Sequence, residues 1–99
     1  MVKLIVLYGK PEDPSAFDAH YAATHAPLAE KVPNLQRFEH GKALGSADGS
    51  EAPYYYVAEL SFDDSEALQA GMSSPEGAAA GADVANFASG GATMFIAQA

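Results

Sequence analysis

Cysteine is absent from this chain, so no disulfide staples the fold, and neither a thiolate metal site nor thiol catalysis is available. Cations are scarce too: 5 lysines and arginines stand against 13 acidic residues, a net charge of −8. A field of that sign repels phosphate backbones and anionic lipid surfaces, which argues against nucleic-acid and membrane partners; its usual role is solubility. Long apolar runs are missing as well. The stretch from Met1 to Gly9 is too short for a signal peptide and has no cleavage pattern, and no later segment approaches a membrane span, so a cytoplasmic location is expected. Nor is there a phosphate-binding glycine loop, a nucleophile elbow or a paired-carboxylate motif.

What is present suits one domain over residues 1–99, because 48% of the positions are hydrophobic and burial can offset the ordering entropy of the chain. Residues 2–9 are aliphatic and β-branched on both faces and end at a glycine, which predicts a strand covered on both sides. Asp13-Pro14 reads as an N-cap followed by proline at the first helical position. Phe17, Tyr21, Thr24 or His25, and Leu28 then recur at helical spacing, until Pro27 forces a kink or restart. Leu28 to Val32 makes one further turn, closed by Pro33-Asn34. Residues 35–44 form a second strand, and a loop rich in glycine and serine leads to a third strand over Tyr54–Phe62. Asp63 with Glu66 has capping-box spacing and opens a helix through Met72. Ser74-Pro75 caps an alanine-rich helix with Ala78, Ala82, Ala85 and Phe87 as its apolar stripe, and Ala92 to Ala97 forms the last strand.

That order defines an α+β fold, the ferredoxin-like βαββαβ arrangement of one four-stranded antiparallel sheet with helices on one face. The other sheet face is left bare, with apolar residues on every strand, so a second copy is expected to cover it by a two-fold contact.

Chemistry concentrates on the first helix. His25 lies just before Pro27, near the negative end of a helix, where protonation is favoured, and it can act as a general acid or base. The competing role is structural, with the imidazole capping orphan carbonyls at the helix end. Tyr21 is four residues earlier on the same face, so the two side chains can jointly contact a polar atom of a ligand, although Phe17 and Tyr21 also read as core stripe. His20 falls about 100° round the helix from Tyr21 and is expected towards solvent or a dimer rim. On the second strand Phe38 and His40 share one face while Arg37 and Glu39 share the other, and only one set can line the space under the helices. Alternation puts Tyr54 and Tyr56 on one face of the third strand and Tyr55 on the opposite one. His20 and His25 are five apart and miss the spacing of a helical metal pair, while a single axial histidine is a thin signal for haem; no metal or other cofactor is called for.

Phe17 with His20-Tyr21 and Thr24-His25-Ala26-Pro27-Leu28-Ala29 resembles the signature of the EthD family, a branch of the dimeric α+β barrel superfamily. Ser74-Pro75-Glu76-Gly77 with Asp83 and Phe87 resembles its second-helix pattern, and the similarity runs from Met1 to about Ala97. The resemblance implies a homodimer of two sheets closing back to back, with a pocket in each subunit between sheet and helices and the matching histidine facing it. Relatives in that superfamily include cofactor-free oxygenases, lactone isomerases, polyketide cyclases and dehydratases, haem-degrading proteins and many members without known activity.

Two functions are therefore open. The first is a cofactor-independent enzyme (isomerase, cyclase, dehydratase or oxygenase) acting on an apolar aromatic or lactone-like metabolite. In it His25 is the general acid or base, Tyr21 orients the substrate, and Phe17, Leu28, His40 and Tyr56 are candidate substrate contacts around a pocket of roughly a few hundred Å³. The second is a non-catalytic binding or accessory protein of a catabolic or biosynthetic pathway, built on the same scaffold.

Overall fold

The two-sided apolar pattern of the first strand has a direct cause: β1 (Val2–Tyr8) is interior to the sheet, flanked by β3 (Tyr56–Phe62) and β4 (Ala92–Gln98), while β2 (Arg37–Lys42) lies outside β3. The computed structural model describes residues 1–99. Every pairing is antiparallel in the order β2-β3-β1-β4, which is the ferredoxin-like arrangement. No helix is long and apolar enough to cross a membrane.

Directly opposed residues of an antiparallel pair share a face. Val6 opposes Ala58 and Met94, and Leu4 opposes Leu60 and Ile96, so these side chains lie together under the helices. Phe38 opposes Leu60 and His40 opposes Ala58, which puts the Phe38/His40 set on the helix side and turns Arg37 and Glu39 away. The opposite face is less uniform than the sequence suggested. Ile5, Leu7, Val57 and Phe95 make an apolar patch, but it is bordered by the Lys3–Glu59 ion pair at 2.6 Å and by Arg37 and Glu39, so β2 contributes charge rather than apolar cover.

Helix α1 (Pro14–His20) is capped by Asp13, whose carboxylate accepts from the Ala16 N–H at 3.2 Å. It does not end at Pro27. A π-helical turn over Tyr21–His25 carries the chain into α2 (Ala26–Glu30), with the Ala26 N–H donating to the Tyr21 carbonyl five residues back. Proline has no N–H to offer Ala23, and its ring would collide with that carbonyl in a tight α-turn; the wider π turn accommodates both.

Helix α3 (Ser65–Ser73) is capped by Asp64, not Asp63, and Glu66 falls one position short of a capping box. Ser74 caps α4 (Pro75–Phe87) through the Gly77 N–H. The inward face of α4 is Gly77, Ala80, Asp83 and Phe87, while Ala78, Ala82 and Ala85 are exposed. Of the expected stripe Phe87 does face inward, while its three alanines are out of phase with the face on which Gly77 abuts the α3 backbone and Ala80 and Asp83 are buried. Gly77 is required where α4 starts, since a Cβ there would meet the backbone of Gly71 and Met72. Tyr8, Phe17, Tyr21 and Phe87 build the aromatic centre of the core, ring centroids 5.1–5.9 Å apart.

Candidate functional site

The π turn decides what the first helix presents inward. Tyr21 and His25 are both buried, with ring centroids 5.1 Å apart, while Thr24 is exposed. His25 is therefore not at a helix end, and its ring caps no carbonyl. Its partner is Asp83, reached across the gap between the π turn and α4: the Nδ1–H donates to Oδ2 at 3.0 Å.

Asp83 is the organising group. Its Oδ1 accepts from Asn86 Nδ2 at 3.0 Å, and His20 Nε2 lies 2.9 and 3.0 Å from the two oxygens. His20 is thus half-buried against the carboxylate, with its ring stacked on Phe87 at 5.3 Å, rather than turned to solvent. Burial pushes the Asp83 carboxyl up, but the hydrogen bonds from Asn86, His20 and His25 outweigh it, and the group sits below the usual carboxylate range. It is a buried anion held by three neighbours.

For His25 the balance runs the other way. Burial pushes its pKa down, the bond to Asp83 offsets only part of this, and the charges of His20 and His40 push down further, so the ring is neutral at pH 7. That reverses the protonation expected of a histidine at a helix end. With the Nδ1 proton committed to Asp83, the lone pair is on Nε2. The Tyr8 hydroxyl lies 3.5 Å from that nitrogen, a long contact. Burial raises Tyr8 to about 12 and, with help from the neighbouring phenols of Tyr8 and Tyr56, holds Tyr21 well above the ordinary tyrosine value, so both remain protonated donors.

Tyr8, Tyr21 and His25 line a cavity of about 50 Å³ between sheet and helices, with Gly81 and Met94 among its other lining residues. Its lining is apolar apart from Tyr8, Tyr21 and His25 and includes no Lys, Arg, Asp or Glu. The volume is well below the roughly 300 Å³ at which small-molecule pockets begin, so the larger pocket expected from the sequence is not open in the subunit. Met72 and Met94 on the wall are the side chains best able to yield.

Tyr21 also borders a second, open cleft of about 350 Å³, and it is the residue common to both spaces. His40 and Tyr56 belong to this outer cleft, His40 Nδ1 lying 2.7 Å from the Tyr56 hydroxyl, together with the Asp18–Lys42 ion pair at 2.9 Å. Neither His40 nor Tyr56 lines the cavity at His25. Phe17 is core, walled off from that cavity, and borders instead a cleft beside Glu12 and Asn86. Leu28 faces a groove against Pro75 and Ala79, because the π turn rotates α2 relative to α1. Tyr55 does not sit opposite Tyr56: it precedes β3, packs on Phe17 at 5.1 Å and donates to Asp18 at 2.7 Å. The structure thus brings Tyr21 and His25 together and adds Tyr8, Asp83 and His20. Asp83 is signalled in the sequence by its spacing of three from Ala80 and four from Phe87 on the helix's inward face. No group of three or more His, Cys, Asp or Glu side chains is arranged to hold a metal ion.

A sheet of this topology, with a histidine–aspartate pair buried beneath its helices, defines a ferredoxin-like α+β protein. The chain belongs to the EthD family: residues 10–91 match the EthD domain. It is 45% identical over 96 residues to an uncharacterised 11.0 kDa protein of the thcB–thcC intergenic region of Rhodococcus erythropolis, covering 97% of this chain and 92% of that protein. A crystal structure of an EthD family protein from Bacillus halodurans is 43% identical, covers 100% of this chain and 98% of that one, and superposes with a TM-score of 0.92. SnoaB, a cofactor-independent oxygenase from Streptomyces nogalater, shares the fold at 17% identity with a TM-score of 0.68, covering 99% of this chain and 91% of that one. Other solved proteins of this fold, at 17–23% identity, are dimeric.

Proposed function

We propose that the protein is a cofactor-independent enzyme that moves a proton on a small, apolar, aromatic or lactone-like metabolite, with His25 Nε2 as the base and then the acid. One observation carries this reading: a neutral, buried imidazole is held through Nδ1 by an ionised Asp83, with the Tyr8 hydroxyl 3.5 Å from Nε2, the Tyr21 ring beside it and an apolar cavity adjoining. An orienting carboxylate behind a histidine fixes the tautomer and stabilises the imidazolium formed when Nε2 takes a proton. Proton transfer by a side chain so placed contributes about 10²- to 10⁴-fold. The reaction class extends over isomerase, cyclase, dehydratase and oxygenase chemistry, and the working unit is a homodimer joined through the open sheet face; dimeric relatives of this fold support that assembly.

The test is a panel of monocyclic phenols and substituted butenolides, followed for both turnover and affinity, with the wild type and His25→Asn. Asparagine keeps an N–H directed at Asp83 and removes Nε2. Turnover lost by a hundredfold or more, with affinity and Tm near wild type, supports the enzyme. Equal turnover in the two proteins overturns it, and binding without turnover in the wild type transfers the site to a sequestering role.

A further inference from the structure

One polar atom in the core is left over. The Tyr21 hydroxyl is buried, and no protein group bonds to it, whereas every other buried side-chain nitrogen or oxygen has a partner. Leaving such a donor unpaired is costly, and buried phenols ordinarily find an acceptor. Here the nearest polar neighbours do not supply one. The Tyr8 O–H is directed at His25 Nε2, 3.5 Å away, and although the Tyr8 oxygen keeps a lone pair and lies close to Tyr21, the two phenols do not meet at hydrogen-bonding geometry. Tyr21 also borders the cavity that contains His25, with the two ring centroids 5.1 Å apart. The walls of this cavity are apolar and hold no charged residue, and the Tyr21 and His25 rings lie side by side at its edge.

We propose that the Tyr21 hydroxyl is the donor for a lone carbonyl oxygen on a neutral, otherwise apolar ligand, placed so that the hydrogen on the adjacent carbon faces His25 Nε2. The inference rests on the acid–base reading of His25 and narrows it to enolisation. The base takes the proton from the α-carbon, and the C–H electron pair forms the new C=C bond. The carbonyl π pair moves onto oxygen, and the resulting enolate accepts a strengthened hydrogen bond from Tyr21. Return of the proton from His25 to the same or a conjugated carbon completes the cycle with no oxidant or reductant. A carboxylate ligand is disfavoured twice, by the apolar lining and by the net charge of −8.

The probes are cyclopentanone and cyclopentane, matched in shape and differing in the oxygen, with cyclopentanecarboxylate as the anionic control. Binding is followed by NMR titration, and the carbonyl stretch of bound cyclopentanone by infrared difference spectroscopy; neither requires turnover, so a catalytically inert protein still answers. The expected results are a roughly three- to tenfold preference for the ketone, the worth of one neutral hydrogen bond, a carbonyl stretch lowered relative to that in hydrocarbon solvent, and no carboxylate binding. Tyr21→Phe abolishes the preference while Tm stays level or rises, because the variant deletes an unpaired hydroxyl. Equal affinity for ketone and hydrocarbon, an unshifted stretch in the wild type, or failure of the ketone to bind at all overturns the proposal. The infrared shift in the wild type decides the matter even where the variant fails to fold.

Discussion

Replacing Asp83 by asparagine separates an imidazole that is held from one that is merely buried. The substitution preserves shape and removes charge. In the wild type the carboxylate engages His25 Nδ1, His20 Nε2 and Asn86 Nδ2 at 2.9–3.0 Å. A hydrogen bond to a charged group contributes about 1.5–3 kcal/mol and a neutral one about 0.5–1.5 kcal/mol, so each bond that survives loses on the order of 1 kcal/mol. Asparagine also replaces one acceptor oxygen by an NH₂ group, which leaves one of the three donors facing a donor. Desolvation recovered by removing a buried charge offsets part of the loss, and the net is about 2–3 kcal/mol, or roughly 10–20 °C in Tm for a domain of this size. Calorimetry at pH 7 measures that change, and NMR of protein labelled with ¹⁵N-histidine follows the tautomer of His25. Turnover on a substrate found in the panel falls at least about a hundredfold, since the orienting charge is gone. A Tm within about 2 °C of wild type, with the tautomer of His25 unchanged, would refute the claim that Asp83 holds the ring.

The pH dependence of stability follows from the same two groups. His25 is a base whose pKa folding lowers below 6.5, so between the folded value and 6.5 the unfolded chain binds more protons; stability is intact above about pH 6.5 and falls as pH drops through the folded value. Asp83 adds a second loss at lower pH, because its depressed carboxyl contributes stability above about pH 3.9 that disappears as pH falls through its folded value. Urea unfolding between pH 8 and 5 checks the first: the fall is smaller in His25→Asn, and a rise in wild-type stability on acidification contradicts it. Gly77→Ala forces α4 away from the Gly71 and Met72 backbone and costs about 1–3 kcal/mol, read as a lower Tm. Phe95→Glu puts a charge in the apolar patch of the open sheet face and yields a folded monomer by light scattering; an intact dimer would move the interface elsewhere.

Much of the fold is legible because local chemistry and global packing agree. Asp13-Pro14 and Ser74-Pro75 cap the helices they announce, and the two-sided apolar pattern of Leu4 to Tyr8 identifies an interior strand. The misreadings occur where a tertiary partner overrides the local pattern. Pro27 reads as a kink or restart, and the chain does continue into α2, but through a π turn that takes His25 away from any helix end and rotates Leu28 off the site. His20 reads as solvent-facing until a carboxylate from α4 reaches it, and the three alanines of the expected stripe are out of phase with the face on which Gly77 abuts the α3 backbone. Between adjacent acids such as Asp63 and Asp64, the cap is decided by where Leu68 must be buried, which spacing alone does not reveal. Tyr21 and His25 were legible as a pair; Asp83 entered only as a position in a family pattern, and Tyr8 as one more packing tyrosine.

The central claim is that His25 stands neutral with its proton on Nδ1 and its lone pair turned to the cavity, and ¹H–¹⁵N correlation spectra of histidine-labelled protein at pH 7 test it without any substrate. The spectra are expected to show a protonated, slowly exchanging Nδ1 and an unprotonated Nε2 at pH 7, with the ring titrating below 6.5. An Nε2–H tautomer, or an imidazolium at neutral pH, would contradict it.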